Sequence, residues 1–154
     1  MDHPQEFARL LMEVADRAYL STIGEDGFPH TRAILNLRNP AIYPHLAELF
    51  DAHRDDFLVY VTTNTSSAKV RQIRQDPRGS VYYCHPKRFR GVLLVGEIEI
   101  VDSSSIRHTL WTDGWEVYYH GGADDPDHTV LRLRPTYASG WSGSERFEFR
   151  IGQK

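Results

Sequence analysis

The chain has 154 residues, 40% of them hydrophobic and 25% charged, with a net charge of −3 when histidine is neutral. That length suits a single domain over residues 1–154, and the mild acidity argues against an electrostatic nucleic-acid binder. No apolar run approaches a membrane span, the N-terminus carries acids instead of a basic segment ahead of an apolar one, and the lone Cys84 excludes an internal disulfide, so a cytoplasmic protein is expected.

Residues 4–17 read as a helix, because Phe7, Leu10, Leu11, Val14 and Ala15 follow the spacing of one buried stripe. Asp2 can cap it, and Pro4 suits the first helical position. Ala18 to Ile23 reads as a strand, Gly24-Glu25-Asp26-Gly27 as a turn, and His30 to Leu37 as the returning strand of a hairpin. Pro29 belongs on an open edge, since it has no N–H to give a ladder. Residues 39–55 hold Pro40 and Pro44 and then an amphipathic helix with Leu46, Leu49 and Phe50 on its apolar face.

Residues 57–75 are the most informative stretch. Phe57 to Thr63 is rich in aromatic and β-branched residues and reads as a third strand. Asn64-Thr65-Ser66-Ser67 follows, and then a helix on which Val70 and Ile73 share one face while Lys69, Arg71 and Arg74 fall on others. The first N–H groups of a helix have no internal partner, and the helix dipole makes that end positive. Ser66 or Ser67 can cap the helix or turn its hydroxyl to a ligand oxygen, and Lys69 adds a formal charge, so the stretch suits a phosphate; on residue types alone, an ordinary surface helix capped by Ser66 with its cations in solvent is the simpler reading.

Asp76-Pro77-Arg78-Gly79 ends that helix, and Ser80 to Cys84 is a fourth strand. After the basic turn His85 to Arg90, Gly91 to Val101 is the longest strand. Its second half alternates, with Glu97 and Glu99 outward; its first half, Val92-Leu93-Leu94-Val95, is apolar on both faces and predicts a closed barrel packed on a partner. Asp102 to Ser105 cap a short helix through Trp111, and Trp115 to Tyr119 form a helical turn ended by Gly121-Gly122. An acidic loop follows, and then strands at His128 to Arg134, Tyr137 to Trp141 and Arg146 to Arg150. Several connections are too short for crossovers. The fold class is therefore mainly β (α+β), an antiparallel barrel of six or seven strands with peripheral helices.

Four pieces in this order resemble the pyridoxamine 5'-phosphate oxidase-like, FMN-binding split barrels, and among them the general stress protein 26-like subgroup. The hairpin Leu20 to Arg32 is similar to the family's opening strands. Thr63-Asn64-Thr65-Ser66-Ser67-Ala68-Lys69 resembles its phosphate-binding turn. Gly122 to Asp127 with Leu131 to Pro135 resembles the subgroup's acidic loop and penultimate strand, and Trp141 followed by Gly143 resembles the tryptophan that ends it. The resemblance implies a homodimer with FMN at the subunit interface. By position, Arg32, Ser67 and Lys69 would meet the FMN phosphate; Ala33 and Ile34 would offer backbone groups beside the ring; Thr62 and Thr63 would lie beside the ring or the ribityl chain; and Trp141 would approach from the partner subunit. Ala68 stands where the pyridoxamine phosphate oxidases carry arginine, and Leu37 where they carry lysine, with Arg38 one residue late and therefore on the other face. The implied activity is flavin-mediated redox of a different small substrate, with a reduced nicotinamide as possible donor and no catalytic side chain named. The alternative is a split barrel that binds flavin, haem or deazaflavin without turnover, or an empty dimeric module.

Other groupings are less specific. His120, Asp124, Asp125, Asp127 and His128 could gather a metal, but with Pro126 and two glycines beside them a solvated turn is the simpler reading. Cys84 reads as a buried strand thiol. Lys87, Arg88 and Arg90 read as a solvated basic turn, and Tyr82, Tyr83, Trp111, Trp115, Tyr118 and Tyr119 as core and dimer contacts, of which one could cover a flavin. No nucleophile turn supports hydrolysis.

Overall fold

The computed structural model describes residues 1–152. Helix α1 (Pro4–Val14) has Pro4 at its start and His3 at the N-cap with no side-chain cap bond, so Asp2 does not cap it. The helix stops three residues before the periodicity predicts. Asn36 Nδ2 donates to Met12 O at 2.7 Å and Ala15 O at 2.9 Å, and Asn39 Nδ2 donates to Ala15 O at 3.1 Å. Side chains thus satisfy carbonyls that another helical turn would have used.

Strands β1 (Arg17–Ile23) and β2 (Pro29–Leu35) form the expected hairpin, with Pro29 opposite Ile23 at the start of an edge strand. β2 ends two residues before Leu37, because Asn36, Leu37 and Arg38 turn inward and are buried. The helix expected within residues 39–55 is a 3-10 turn at Pro44–Leu46 and one short helix, α2 (Ala47–Asp51), which buries Phe50. Strand β3 (Val59–Asn64) begins two residues later than expected. Phe57 has φ of 56°, a left-handed conformation that a strand cannot contain, and its ring is buried.

Helix α3 (Ala68–Gln75) follows with Ser67 at the N-cap, then β4 (Arg78–Cys84) and β5 (Arg90–Val101). Helix α4 (Ser104–Leu110) is capped by Ser103, whose Oγ accepts from Ile106 N at 3.2 Å. After 3-10 turns at Trp115–Val117 and Gly122–Asp124, β6 (His128–Ser142) and β7 (Glu145–Arg150) complete the sheet. β6 is one strand where the sequence predicts two. Gly96 faces Pro135 while Val95 faces Tyr137, so Thr136 is the extra residue of a bulge. A bulge is where a strand accepts proline without interrupting its ladder.

The seven strands pair antiparallel in the order β2-β1-β4-β5-β6-β3, with β7 on the free part of β6. β2 and β3 lie at the two ends and are not paired, so the expected closed barrel is instead a barrel split along one seam. The main core fills the sheet's concave side: Leu11 and Met12 from α1 and Val70 and Ile73 from α3 meet Leu20, Val81, Val92, Leu94 and Leu131. Burying each large aliphatic side chain contributes about 2 kcal/mol. A second cluster on the other face joins Leu46, Phe50, Leu58, Tyr60, Leu110, Trp115 and Val130. Leu93 and Val95, expected to be covered, are only partly buried within one chain, and Cys84 is likewise half-buried. Tyr118, grouped with the core and dimer aromatics from sequence, is 71% exposed. No helix among the described residues is long and apolar enough to cross a membrane.

Candidate functional site

The seam between β2 and β3 is a cleft of about 390 Å³. Ala33, Ile34 and Leu35 line it from β2, Thr62, Thr63 and Asn64 from β3, and Lys69, Tyr119 and the pair Asp16 and Arg17 at the start of β1 border it. Each wall is a strand edge with no neighbour across the gap, so backbone donors and acceptors are available to a ligand.

The end of the cleft nearest α3 is cationic. The Arg32 guanidinium donates to Thr22 Oγ1 at 2.7 Å, His30 O at 2.8 Å and Gln72 Oε1 at 3.1 Å, all neutral acceptors. Gln72 lies on α3 one turn beyond Lys69, and this contact latches β2 to the helix. Burial lowers the pKa of Lys69, and the nearby charge of Arg32 lowers it further. Burial also lowers that of Arg32. Among the described residues neither cation has a carboxylate partner within salt-bridge distance. Two neighbouring, partly desolvated cations without a counter-charge are an unfavourable arrangement that an anion would relieve.

Ser67 Oγ is buried and has no hydrogen-bond partner. The Ser67 side chain makes no cap bond to α3, although the residue occupies the N-cap. The Ser66 backbone N–H is already taken, donating to Asp127 Oδ1 at 2.9 Å. An orphaned hydroxyl costs about 1–3 kcal/mol, a cost that a ligand oxygen accepting from it would remove. The hydroxyl, the free N–H groups at the start of α3, Lys69 and Arg32 form a donor set that fits a phosphate monoester.

Of the eight residues singled out from sequence, five line the cleft: Ala33, Ile34, Thr62, Thr63 and Lys69. Arg32 and Ser67 adjoin it, the first through Gln72 and the second at the head of α3. Trp141 does not. Asn64 pairs with His128 at the start of β6, and Trp141 lies thirteen positions further along that strand, about 40 Å of extended chain. There it stands between Tyr82 and Phe89, each ring centroid 6.0 Å away, and lines a separate cavity of about 820 Å³ with Ser139 and Arg146. Arg38 is also elsewhere: its Nη2 donates to Leu58 O at 2.6 Å, and its guanidinium lies 4.9 Å from the centre of the Phe50 ring. It braces the fold and does not replace a lysine at the site.

Sequence reasoning did not single out Tyr119 from the aromatics of which one could cover a flavin, and it missed Asp127 as the partner of the turn at residues 64–66. Both come from the loop after α4, which has no periodicity to read. The other acids of that loop have structural partners. Asp124 accepts from Ser104, Arg107 and His108, and Asp125 from Gly121 N and Asp127 N. His128 Nδ1 lies 2.7 Å from Ala123 O, and its ring packs against Tyr119 and Trp111.

An open antiparallel barrel whose seam holds a cationic, hydroxyl-bearing cleft defines the class as a split barrel. The family model described as pyridoxamine 5'-phosphate oxidase like matches residues 50–152, and the chain belongs to that family. A solved structure of a Clostridium acetobutylicum protein related to general stress protein 26, of the pyridoxinephosphate oxidase family, superposes with a TM-score of 0.77 at 26% identity, covering 98% of this chain and 96% of that one. General stress protein 26 from Bacillus anthracis superposes with a TM-score of 0.70 at 17% identity, over 96% of this chain and 99% of that one. A haem-binding protein from Mycobacterium smegmatis shares the fold with a TM-score of 0.68 at 15% identity, over 95% of this chain and 57% of that one. No curated protein sequence matches the chain.

Proposed function

We propose that the protein binds FMN in the cleft between β2 and β3 and acts as an FMN-dependent oxidoreductase on a small substrate. The observation that carries this reading is the pair of cations, Arg32 and Lys69, without a carboxylate partner beside the orphaned Ser67 hydroxyl. Lys69, Arg32, Ser67 and the first N–H groups of α3 hold the phosphate. Ala33 and Ile34 present backbone groups of an unpaired strand edge to the planar ring, and Thr62 and Thr63 offer hydroxyls to the ring or the ribityl chain. In this reading the working unit is a homodimer, in which Trp141, too far along β6 to serve its own cleft, reaches the ligand of the second copy. When bound, the flavin supplies hydride and electron transfer, with NADH or NADPH as donor; the protein's part is to place it, match its charge and exclude water.

The test is the absorbance spectrum of the purified protein with and without added FMN. Flavin bands that bleach with NADH or NADPH and return in air support the reading, and a Soret band would assign the cleft to haem. A colourless protein that leaves added FMN unperturbed overturns it.

A further inference from the structure

The turn that leads into α3 is held from outside as well as from within. Its side chains and amides are tied to the loop after α4, across more than sixty residues of sequence. Asn64 Nδ2 donates to Asp127 Oδ2 at 2.7 Å, and Ser66 N donates to Asp127 Oδ1 at 2.9 Å. Thr65 N donates to the backbone O of Asp127 at 2.8 Å, and Thr65 Oγ1 to Pro126 O at 2.8 Å. One carboxylate therefore bridges both ends of the turn, one oxygen to each. Asp127 is itself steadied by Asp125, whose Oδ1 accepts from Asp127 N at 2.8 Å. Within the turn, Ser67 N donates to Asn64 O at 3.1 Å, and this leads directly to the orphaned Ser67 hydroxyl and the free N–H groups of α3.

We propose that Asp127 is the positioning residue of the phosphate end of the cleft, and that it sets the protein's preference for phosphorylated over unphosphorylated flavin. This rests on the FMN reading above. A negative side chain beside an anion seat is electrostatically unfavourable for the ligand, so its value must come from geometry. By occupying Ser66 N–H it leaves the seat to Ser67, Lys69 and the amides behind them. By fixing Asn64 it fixes the last residue of β3, which lines the cleft. None of its bonds reaches β2 or Thr62 and Thr63, the β3 residues assigned to the ring and the ribityl chain, so its effect falls mainly on the phosphate end.

Titration of FMN and riboflavin against wild type, Asp127→Ala and Asp127→Asn, followed by flavin fluorescence, tests this. Asp127→Ala is expected to weaken FMN about tenfold, the size of a lost charge-assisted hydrogen bond, and to leave riboflavin within twofold of wild type. Asp127→Asn keeps an acceptor for Ser66 N–H and restores most of the FMN affinity. Inorganic phosphate should compete with FMN in wild type and compete less in Asp127→Ala. Unchanged FMN affinity in Asp127→Ala, or equal loss of FMN and riboflavin, overturns the proposal. If Asp127→Ala does not fold, Asp127→Glu decides, because it keeps the charge and displaces the carboxylate from Asn64 and Ser66 by one methylene: a loss confined to FMN supports the proposal, and an equal or absent loss overturns it. A wild-type protein that binds neither flavin refutes the FMN reading itself, and this proposal with it.

Discussion

Lys69 is the residue whose chemistry is most exposed to test. Burial and Arg32 hold its pKa below the free value of 10.5 when no anion is present. A bound phosphate would favour the ammonium form and raise the pKa again. Affinity for FMN should therefore be full below the lowered pKa of the free protein and fall as pH rises through it. The slope should begin below pH 10.5, and Lys69→Arg should remove it; FMN titrations between pH 7 and 10 would show this. Lys69→Ala combined with Ser67→Ala should weaken FMN by about a hundredfold, since a charged donor and a neutral one are lost together. Unchanged binding would place the phosphate elsewhere.

The elements meet at a few side chains that do more than their sequence positions suggest. Asn36 ends β2 and closes α1 through Met12 O and Ala15 O. Asn36→Ala would strand the Met12 carbonyl and leave Ala15 O to Asn39 alone, and should cost about 2 kcal/mol, read as a lower urea midpoint with an unchanged slope. Gly140 sits opposite Val92, where any Cβ would overlap Gly91 O and the Phe147 ring. Gly140→Ala should force β5 and β6 apart, at about 2 kcal/mol, and change the fluorescence of Trp141 next to it. These contacts also explain what could be read in advance. The helix at residues 68–75 was legible because Val70 and Ile73 mark its buried face and Asp76-Pro77 its end. The end of α1 was not, because the group that ends it arrives from Asn36. The unbroken β6 was hidden by Pro135, whose tolerance depends on a bulge that only the pairing with β5 creates.

At the scale of the whole molecule, the loop after α4 ties the cationic end of the cleft to the outer helices. It reads as a solvated acidic turn, because the partners of its acids lie far away in sequence. Asp124 shows the consequence for pH. His108, Ser104 and Arg107 hold its pKa at about 2, against 3.8 for a free aspartate, with the His108 contact the largest cause. A carboxylate lowered in the folded state adds stability above pH 3.8, and that stability is lost as pH falls towards 2. Asp124→Asn should flatten the acid side of the melting-temperature profile between about pH 4 and 2 and leave the alkaline side unchanged. The eight residues singled out from sequence are divided by this same architecture: seven gather at or beside the seam, and Trp141 is carried away on β6.

The seam also has a cost that follows from its form. Two strand edges stand open where a few backbone hydrogen bonds could have joined them, and the room for a ligand exists because they do not. Selection for heat resistance alone would favour chains in which β2 and β3 zip together. Such chains would melt later and hold nothing, so in this fold the sturdiest form of the protein and the working one are different molecules.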